Sequence, residues 1–503
     1  FKLDTPNTTY AFHVTNSNHL LHLYYGASIP ETDITHMLRI PNDEPFVPST
    51  HDGMGPHSFD CAAIEFPTSG VADFREPCMQ LMDKYGMSAC ECYYDSYAIY
   101  KGKKKLEGLP ATYANTDDEV TSLEVYCKDP HNGLEITLQY SVFEKLDVIT
   151  RSVKVKNGGA DPIELRRLLS ACVELDSKDY DMITLYGTWA RERHVQRNPL
   201  HFGKQLVDSC RGATSHAHNN FIAIVDHKAT EDYGDCYGFA LCYSGSFVAG
   251  CEVNQYEKTR VFSGINPYDF SWHLDLGEEF QAPEVIMVFS ASGIGTMSRT
   301  FHDVMRNNLT RGKWKDIRRP ILINNWEATY FNFDTDKLLD IARESAKAGI
   351  EMLVMDDGWF GHRNDDKSSL GDWFVNEDKI KGGLKHLVDE VNKLGLKFGI
   401  WFEPEMISPD SELYKAHPDW CIHIPGRPRT TCRSQLVIDF SRKDVRDYIY
   451  GQMYKILSSA NIEYVKWDMN RQLCEVGNEV LPPERQREIW HLSLIHISEP
   501  TRR

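Results

Sequence analysis

The segment Lys397-Phe-Gly-Ile-Trp-Phe-Glu-Pro-Glu405 shows the pattern on which the fold of this protein depends. A short apolar run of strand length ends abruptly in carboxylates, and an amphipathic segment follows it. The same pattern recurs at 321–327, 352–359 and 464–471, with helical periodicity between the apolar runs. Because strands that alternate with helices form a parallel sheet, these four units predict about half of an eight-stranded (β/α) barrel.

The sequence before this region has a different period. Short runs such as 133–140 and 147–155 alternate apolar and polar residues and are separated by Gly, Pro, Asn and Asp. Alternation with period two predicts many antiparallel strands, for which a large β-sandwich is the economical fold. The predicted fold class is therefore multidomain, β plus α/β.

The change of period sets the predicted domain boundaries. The tail breaks the periodicity and resembles translated sequencing-adapter read-through, so we expect it to be non-native. The predicted domains are an N-terminal β-sandwich domain at 1–291, a helical linker at 292–319, the first half of a catalytic (β/α)8 barrel at 320–491, and the tail at 492–503.

Composition restricts the class of partner. The formal net charge of −18 over 503 residues disfavours nucleic acid and anionic membrane surfaces, and a neutral sugar is compatible with it. The 13 cysteines are scattered and odd in number, as is typical of reduced thiols. The sequence has no apolar run of membrane-span length and no signal peptide at its start, so a cytoplasmic location is expected, although residue 1 is Phe rather than Met.

Each of the four predicted parallel strands ends in polar residues together with tryptophan. The strand ends are 324–327, 356–359, 401–405 and 466–471. In (β/α) barrels the residues at the carboxyl ends of the strands form the active site. Four consecutive ends that combine a carboxylate or amide with Trp are hard to explain as helix caps and indicate a carbohydrate-active enzyme.

At these residues the sequence resembles the α-galactosidases of glycoside hydrolase family 36. The resemblance runs in order over 321–491 and is weaker over the N-terminal half. It implies an enzyme that hydrolyses terminal α-D-galactose from α-galactoside oligosaccharides such as melibiose and raffinose, with retention and without a cofactor. The segments that carry it are 324–330, 355–361, 401–406, 433–439 and 464–471.

The resemblance identifies Asp468 as the catalytic nucleophile. Lys466 lies two residues earlier on the same predicted strand, so both side chains are expected on one side of it. A nearby ammonium group would keep the carboxylate ionised and ready to attack the anomeric carbon. The alternative is that the two residues form a purely structural ion pair.

Several further residues match positions that bind galactose in the family. Asp356 and Asp357 correspond to a pair that accepts hydrogen bonds from sugar hydroxyls, although one of them could instead cap the following segment. Trp401 corresponds to a wall of the sugar pocket, and Trp326 to a platform at its edge.

Two other matched residues are hydrogen-bond donors to the sugar. Arg433 and Asn470 fill these positions, with Asn470 expected near the 2-hydroxyl. Glu403 and Glu405 are rival candidates for catalysis, but the motif favours structural roles for both.

Two residues of the N-terminal half match family positions that approach the pocket from the β-domain. In oligomers of the family, these positions belong to a neighbouring subunit. They are Asp43 and Trp189, for which a surface acid and a core tryptophan are the alternatives. The resemblance also implies a homo-oligomer, a tetramer in the family.

The acid/base of the family lies on a later strand, in motifs that do not occur after His491. We therefore expect this chain to be inactive by itself. Three alternatives remain open: an α-N-acetylgalactosaminidase, a galactosyl transferase of the same family, or a non-catalytic sugar-binding protein. The sequence offers no metal site, because His216 and His218 have no third ligand nearby.

Overall fold

The computed structural model describes residues 1–38, 48 and 58–491. The described residues form two compact units, Phe1–Lys315 and a second unit that begins at Asp316. No helix in the described ranges is both long and apolar enough to cross a membrane.

The first unit is built almost entirely of β-strands. Its strands, in chain order, are β1 Lys2–Asp4, β2 Thr8–Val14, β3 Leu20–Ala27, β4 Met79–Met82, β5 Tyr93–Lys101, β6 Thr121–Asp129, β7 Leu134–Phe143, β8 Val148–Asn157, β9 Ile163–Leu175, β10 Tyr180–Thr188, β11 Arg191–Pro199, β12 Gly203–Asp208, β13 His218–Asp226, β14 Cys236–Cys242, β15 Phe247–Val253, β16 Thr259–Ile265, β17 Trp272–Leu274, β18 Glu279–Gln281 and β19 Glu284–Ser290. Short 3₁₀ turns lie at Thr35–Met37, Asp117–Glu119, Glu144–Leu146 and Lys313–Lys315.

These strands form large antiparallel sheets around one apolar core. A ten-stranded sheet has the order β11-β10-β13-β14-β19-β8-β7-β6-β5, with β18 also paired to β8, and a six-stranded sheet has the order β12-β15-β16-β9-β17, with β4 paired to β9. Along β7 the residues Leu134, Ile136 and Leu138 are buried while Glu135 is exposed. This alternation buries one face of the strand, and the predicted β-sandwich is confirmed.

One helix packs within the first unit. It is α1, Gly293–Asn308, and its buried side chains Met297, Phe301 and Val304 join Val288 of β19 in an apolar cluster. The segment that we predicted as a linker at 292–319 thus contains a helix that is part of the first unit.

The core of the first unit contains a fully buried ion pair. Arg151 Nη1 lies 3.0 Å from Glu65 Oε1, and neither side chain has any exposed surface. The hydroxyls of Tyr10 and Tyr140 donate to the same carboxylate oxygen. Burial raises the pKa of Glu65, but the Arg151 guanidinium and His22 outweigh it and lower that pKa overall.

The second unit alternates strands and helices. Its strands are β20 Leu322–Asn324, β21 Met352–Met355, β22 Lys397–Phe402, β23 Met406–Ile407, β24 Leu436–Val437 and β25 Tyr464–Trp467. Its helices are α2 Trp326–Thr329, α3 Thr335–Lys347, α4 Gly383–Lys393, α5 Glu412–Ala416 and α6 Lys443–Leu457, with 3₁₀ turns at Pro418–Trp420 and Pro483–Trp490.

Four of these strands form the predicted parallel sheet, in the order β20-β21-β22-β25. Every residue of β21 is buried, as expected for a parallel strand covered on both faces. Two of the helices begin at side-chain caps: at α3 Asp334 accepts the backbone N–H of Lys337 at 3.0 Å, and at α5 Ser411 accepts that of Tyr414 at 3.0 Å. The sheet is the first half of the barrel that the sequence predicts.

Candidate active site

The candidate site lies at the carboxyl ends of the four parallel strands. The register pairs Met355 of β21 with Ile400 of β22, and Phe402 of β22 with Trp467 of β25. Residues that directly follow these strands therefore meet at one edge of the sheet. The acidic residues there are Asp356 and Asp357 after β21, Glu403 after β22, and Asp468 after β25.

Asp356 is a buried carboxylate paired with a lysine. Lys466 Nζ lies 2.8 Å from Asp356 Oδ2, and Asn324 Nδ2 donates to the same oxygen. The backbone N–H of Asp356 donates to Asn325 Oδ1 at 2.8 Å. We expected the Lys466 ammonium group beside Asp468, but in the structure it forms its ion pair with Asp356. β25 ends at Trp467, so Asp468 no longer follows the alternation of the strand.

Asp357 is paired with a fully buried arginine. Arg363 Nε and Nη2 donate to Asp357 Oδ1 and Oδ2 at 2.9 and 2.8 Å, a bidentate fork. Burial raises the pKa of Asp357, and the Arg363 guanidinium opposes that rise. The two remaining lone pairs of this carboxylate are the ones available to a ligand.

A second cation holds the loop that carries Asp357. Lys379 Nζ donates to the carbonyl oxygens of Phe331, Gly358 and Arg363 at 3.0, 3.1 and 3.0 Å. Burial lowers the pKa of this lysine. Gly358 has φ +104°, a conformation that L side chains rarely adopt, so the turn after Asp357 favours glycine.

Asp468 is held by neutral donors. Trp401 Nε1 and Asn470 Nδ2 both donate to Asp468 Oδ2, at 3.1 and 2.9 Å. Among the residues that the structure describes, Oδ1 accepts a single hydrogen bond, from the backbone N–H of Met469 at 3.2 Å. Within residues 58–491 no lysine, arginine or histidine forms an ion pair with this carboxylate, and Oδ1 is its less engaged oxygen.

Glu403 directly follows β22 and is fully buried. Its Oε1 accepts the backbone N–H of Asn470 at 2.6 Å, and its Oε2 accepts Gln435 Nε2 at 3.2 Å. Burial is the largest cause that raises the pKa of Glu403 to about 7, and the charge of Asp468 adds to it. Burial likewise raises the pKa of Glu405 to about 7.

Arg433 lies on the loop that follows α5 and is more exposed than the residues above. Its Nε is 3.5 Å from Asp366 Oδ2. Arg433 and Ser434 have φ of +50° and +57°, so two successive residues with side chains adopt the left-handed conformation. Such strain is often found at functional sites.

The two tryptophans of the predicted sugar pocket differ in exposure. Trp401 is 1% exposed, so its ring is a core side chain that reaches the site through its N–H edge. Trp326 is half-buried and packs edge-on against Tyr330 and Phe331, with ring centroids 5.3 and 5.0 Å away. Trp326 is therefore the ring of the two that solvent reaches.

The remaining predicted residues belong to the N-terminal half. Trp189 follows β10 in the first unit and is 82% exposed, so it is not a core residue. Asp43 lies outside the described residues.

Sequence reasoning missed three residues of the site. They are Arg363, Lys379 and Gln435, which fix Asp357, its loop and Glu403 respectively. The sequence signal available for Arg363 and Lys379 was that both are basic and lie within about twenty positions of the Asp356–Asp357 pair. Gln435 lies inside a matched segment, but no pattern distinguished it from its neighbours.

Comparisons with known proteins cover both halves of the chain. The sequence model described as Glycosyl hydrolase family 36 N-terminal domain matches residues 18–275, and the one described as Melibiase matches residues 279–499. The chain is 48% identical over 498 residues to alpha-galactosidase AgaA of Geobacillus stearothermophilus, covering 99% of this chain and 68% of that protein.

Solved structures agree with the sequence comparison. The crystal structure of alpha-galactosidase AgaB from Geobacillus stearothermophilus superposes with a TM-score of 0.96 at 47% identity, covering 99% of this chain and 69% of AgaB. A variant of AgaA in complex with raffinose also gives a TM-score of 0.96 at 47% identity, covering 100% of this chain and 71% of AgaA. The chain thus spans about two thirds of the length of these relatives, and it belongs to glycoside hydrolase family 36.

Proposed function

We propose that this chain carries the nucleophile and the galactose-binding residues of a retaining α-galactosidase. The reaction would release terminal non-reducing α-D-galactose from oligosaccharides such as melibiose and raffinose. The observation that carries the proposal is the geometry of Asp468. Two neutral donors fix its Oδ2, which leaves Oδ1 as the oxygen that attacks the anomeric carbon.

The chemistry of this step needs two carboxyl groups. As Asp468 Oδ1 forms a bond to the anomeric carbon, the glycosidic C–O bond breaks and the leaving oxygen takes a proton from an acid. Water then hydrolyses the glycosyl ester, and the same acid, now a base, accepts the proton of the water. We propose that this acid/base is not among residues 1–491, in keeping with the family motif that they lack.

The other residues of the site suit a hydroxyl-rich ligand. Asp356 and Asp357 offer acceptors, while Lys466, Arg433 and Asn470 offer donors. A mixed set of fixed donors and acceptors distinguishes one sugar epimer from another, because a misplaced hydroxyl leaves a buried partner unsatisfied. We propose that these five residues bind the galactose ring.

The aromatic residues have separate proposed roles. Trp326 offers a ring to the apolar face of the sugar, and Trp401 acts through its N–H on Asp468 rather than as a wall. We propose that Asp43 and Trp189, both in the N-terminal half, contribute to substrate binding from a neighbouring subunit of a homo-oligomer.

A test that does not need the acid uses an activated sugar. In 5-fluoro-α-D-galactosyl fluoride the fluoride ion leaves without protonation, so the chain should form a stable ester that mass spectrometry locates at Asp468. Asp468→Asn should not be labelled, because an amide cannot form that bond. We expect the purified chain to be labelled and yet not to hydrolyse raffinose, whose leaving oxygen needs a proton.

Two results would contradict this proposal. Labelling of a different carboxyl group, or none, would refute the assignment of Asp468. Turnover of raffinose by the purified chain, abolished in Asp468→Asn, would refute the expectation that the acid lies outside residues 1–491.

A further inference from the structure

Glu403 is a fully buried carboxyl group that the proposed reaction does not use. It follows β22 and has no exposed surface. Its two oxygens are bonded to different elements: Oε1 to the backbone N–H of Asn470 after β25, and Oε2 to the side chain of Gln435 before β24. Burying a carboxyl group is unfavourable unless hydrogen bonds compensate for the lost hydration, so the presence of Glu403 at this buried position calls for an explanation.

The bond to Asn470 connects Glu403 to the proposed nucleophile. The backbone N–H of Asn470 donates to Glu403 Oε1, and the side chain of Asn470 donates to Asp468 Oδ2 at 2.9 Å. Two consecutive hydrogen bonds therefore run from Glu403 to Asp468. Since Asp468 has no ion pair among the described residues, these neutral contacts and the Trp401 N–H determine where its carboxylate lies.

We propose that Glu403 is a positioning residue, which sets the Asp468 carboxylate through Asn470 and is itself set by Gln435. This inference rests on the proposed role of Asp468. The ionised form of Glu403 is the one that positions Asn470, because a charged acceptor binds an N–H group about twice as strongly as a neutral one.

Gln435 is suited to hold Glu403 in both of its protonation states. The side chain is fully buried, and its Oε1 has no hydrogen-bond partner among the described residues. In the observed orientation Nε2 donates to the ionised carboxylate. After a 180° rotation of the amide, Oε1 would accept the O–H of a protonated Glu403, so the protonated state leaves no unpaired group between the two residues.

The ionisation of Glu403 should therefore be visible in the reactivity of Asp468. Burial, and then the charge of Asp468, raise the pKa of Glu403 to about 7, while the N–H of Asn470 and the Arg363 guanidinium oppose the rise. The two charged groups among these are Asp468, directly after β25, and Arg363, on the loop that follows β21. Above this pKa the carboxylate is ionised and holds Asn470 firmly; below it the group is neutral and the hold weakens.

The experiment measures the rate at which 5-fluoro-α-D-galactosyl fluoride labels Asp468 in the full chain, between about pH 5 and pH 9. In the wild-type chain the rate should rise through a pH of about 7. Glu403→Gln keeps the shape and both hydrogen bonds, with the Gln435 amide rotated, but cannot ionise. Its rate should be independent of pH in this range and roughly tenfold below wild type at high pH.

Two further variants separate positioning from a general structural effect. Glu405→Gln is the matched control, because Glu405 has a similarly raised pKa but no bond to Asn470; it should keep the wild-type pH dependence. Gln435→Leu removes the donor to the ionised carboxylate and also the acceptor for the protonated one. Because the hydrogen bond to the charged form is the stronger, the pKa of Glu403 should rise and the rise in rate should move to higher pH.

The outcomes are distinguishable. A folded Glu403→Gln chain with the wild-type rate and pH dependence would overturn the inference, as would an unmoved profile in Gln435→Leu. The pH profile of Gln435→Leu tests the inference even if Glu403→Gln does not fold. Absence of labelling in the wild-type chain at every pH would overturn the proposed nucleophile together with this inference, whereas normal labelling without pH dependence would overturn the inference alone.

Discussion

Replacement of Arg363 by Met should destabilise the second unit by several kcal/mol. Arg363 has no exposed surface, and both of its bonds to Asp357 are short and bidentate. Met fills much of the same space but leaves Asp357, which is itself buried, without its cation. Removal of one partner of a buried ion pair typically costs about 3–5 kcal/mol. The expected loss in the free energy of unfolding is therefore about 3–5 kcal/mol, less whatever protonation of Asp357 recovers.

The pH dependence of this loss has a definite sign. The pKa of Asp357 is already raised by burial, and Arg363 is the main group that opposes the rise. Without the guanidinium the pKa in the folded state rises further. A carboxyl group whose pKa is higher folded than unfolded stabilises the fold at low pH, and that contribution disappears as pH rises through the folded-state pKa. The difference between Arg363→Met and wild type should therefore be larger at pH 8 than at pH 5.

Urea unfolding followed by tryptophan fluorescence measures this difference, since Trp359 and Trp401 are buried in the same unit. Arg343→Met is the matched control: Arg343 pairs with Asp340 on the exposed face of α3, where an ion pair contributes about 0–1 kcal/mol. If Arg363→Met costs no more than Arg343→Met, or if its cost does not change with pH, the fork is not a stabilising ion pair and this reasoning fails.

Two other ion pairs give graded predictions. Lys466→Met leaves Asp356 with two neutral donors, Asn324 Nδ2 and the backbone N–H of Asp357. Because about a third of the lysine side chain is exposed, the expected loss is roughly 1–2 kcal/mol in urea unfolding, together with weaker galactose binding in calorimetry; unchanged stability and affinity would contradict it. Arg151→Met in the first unit leaves Glu65 without its guanidinium and should cost about 3–5 kcal/mol, partly recovered in the double variant with Glu65→Gln. A loss below about 1 kcal/mol would contradict that expectation.

The fold could be predicted because its signals are local. A strand of period two or a helix of period 3.6 is visible within ten residues, and the helices at Thr335–Lys347, Gly383–Lys393 and Lys443–Leu457 lie between the apolar runs, where the sequence predicts helices. The alternation of strands with helices then limits the second unit to a parallel sheet. The positions of the acidic residues at the strand ends follow directly from that topology.

The pairing of side chains within the site could not be predicted in the same way. The alternation rule placed Lys466 and Asp468 on one side, but it applies only inside a strand, and β25 ends between them. Arg363 is six residues from Asp357 on an irregular loop, where no period relates sequence distance to direction. Gln435 and Glu403 come together because β23 and β24 pair, with Met406 opposite Val437, and a two-residue strand has no sequence signature.

The distribution of cations among the four acidic residues accounts for the arrangement of the site. Lys466 forms an ion pair with Asp356 and Arg363 with Asp357, whereas the partners of Asp468 in the described part of the chain are neutral N–H donors. A full ion pair would stabilise the free carboxylate of Asp468, and that interaction would be lost when the carboxylate becomes a neutral ester. Neutral donors fix the direction of the carboxylate at a smaller cost to its reactivity. The lysine two residues before the proposed nucleophile thus forms its ion pair with Asp356, a proposed acceptor for the sugar, and not with Asp468, where an ion pair would oppose the attack.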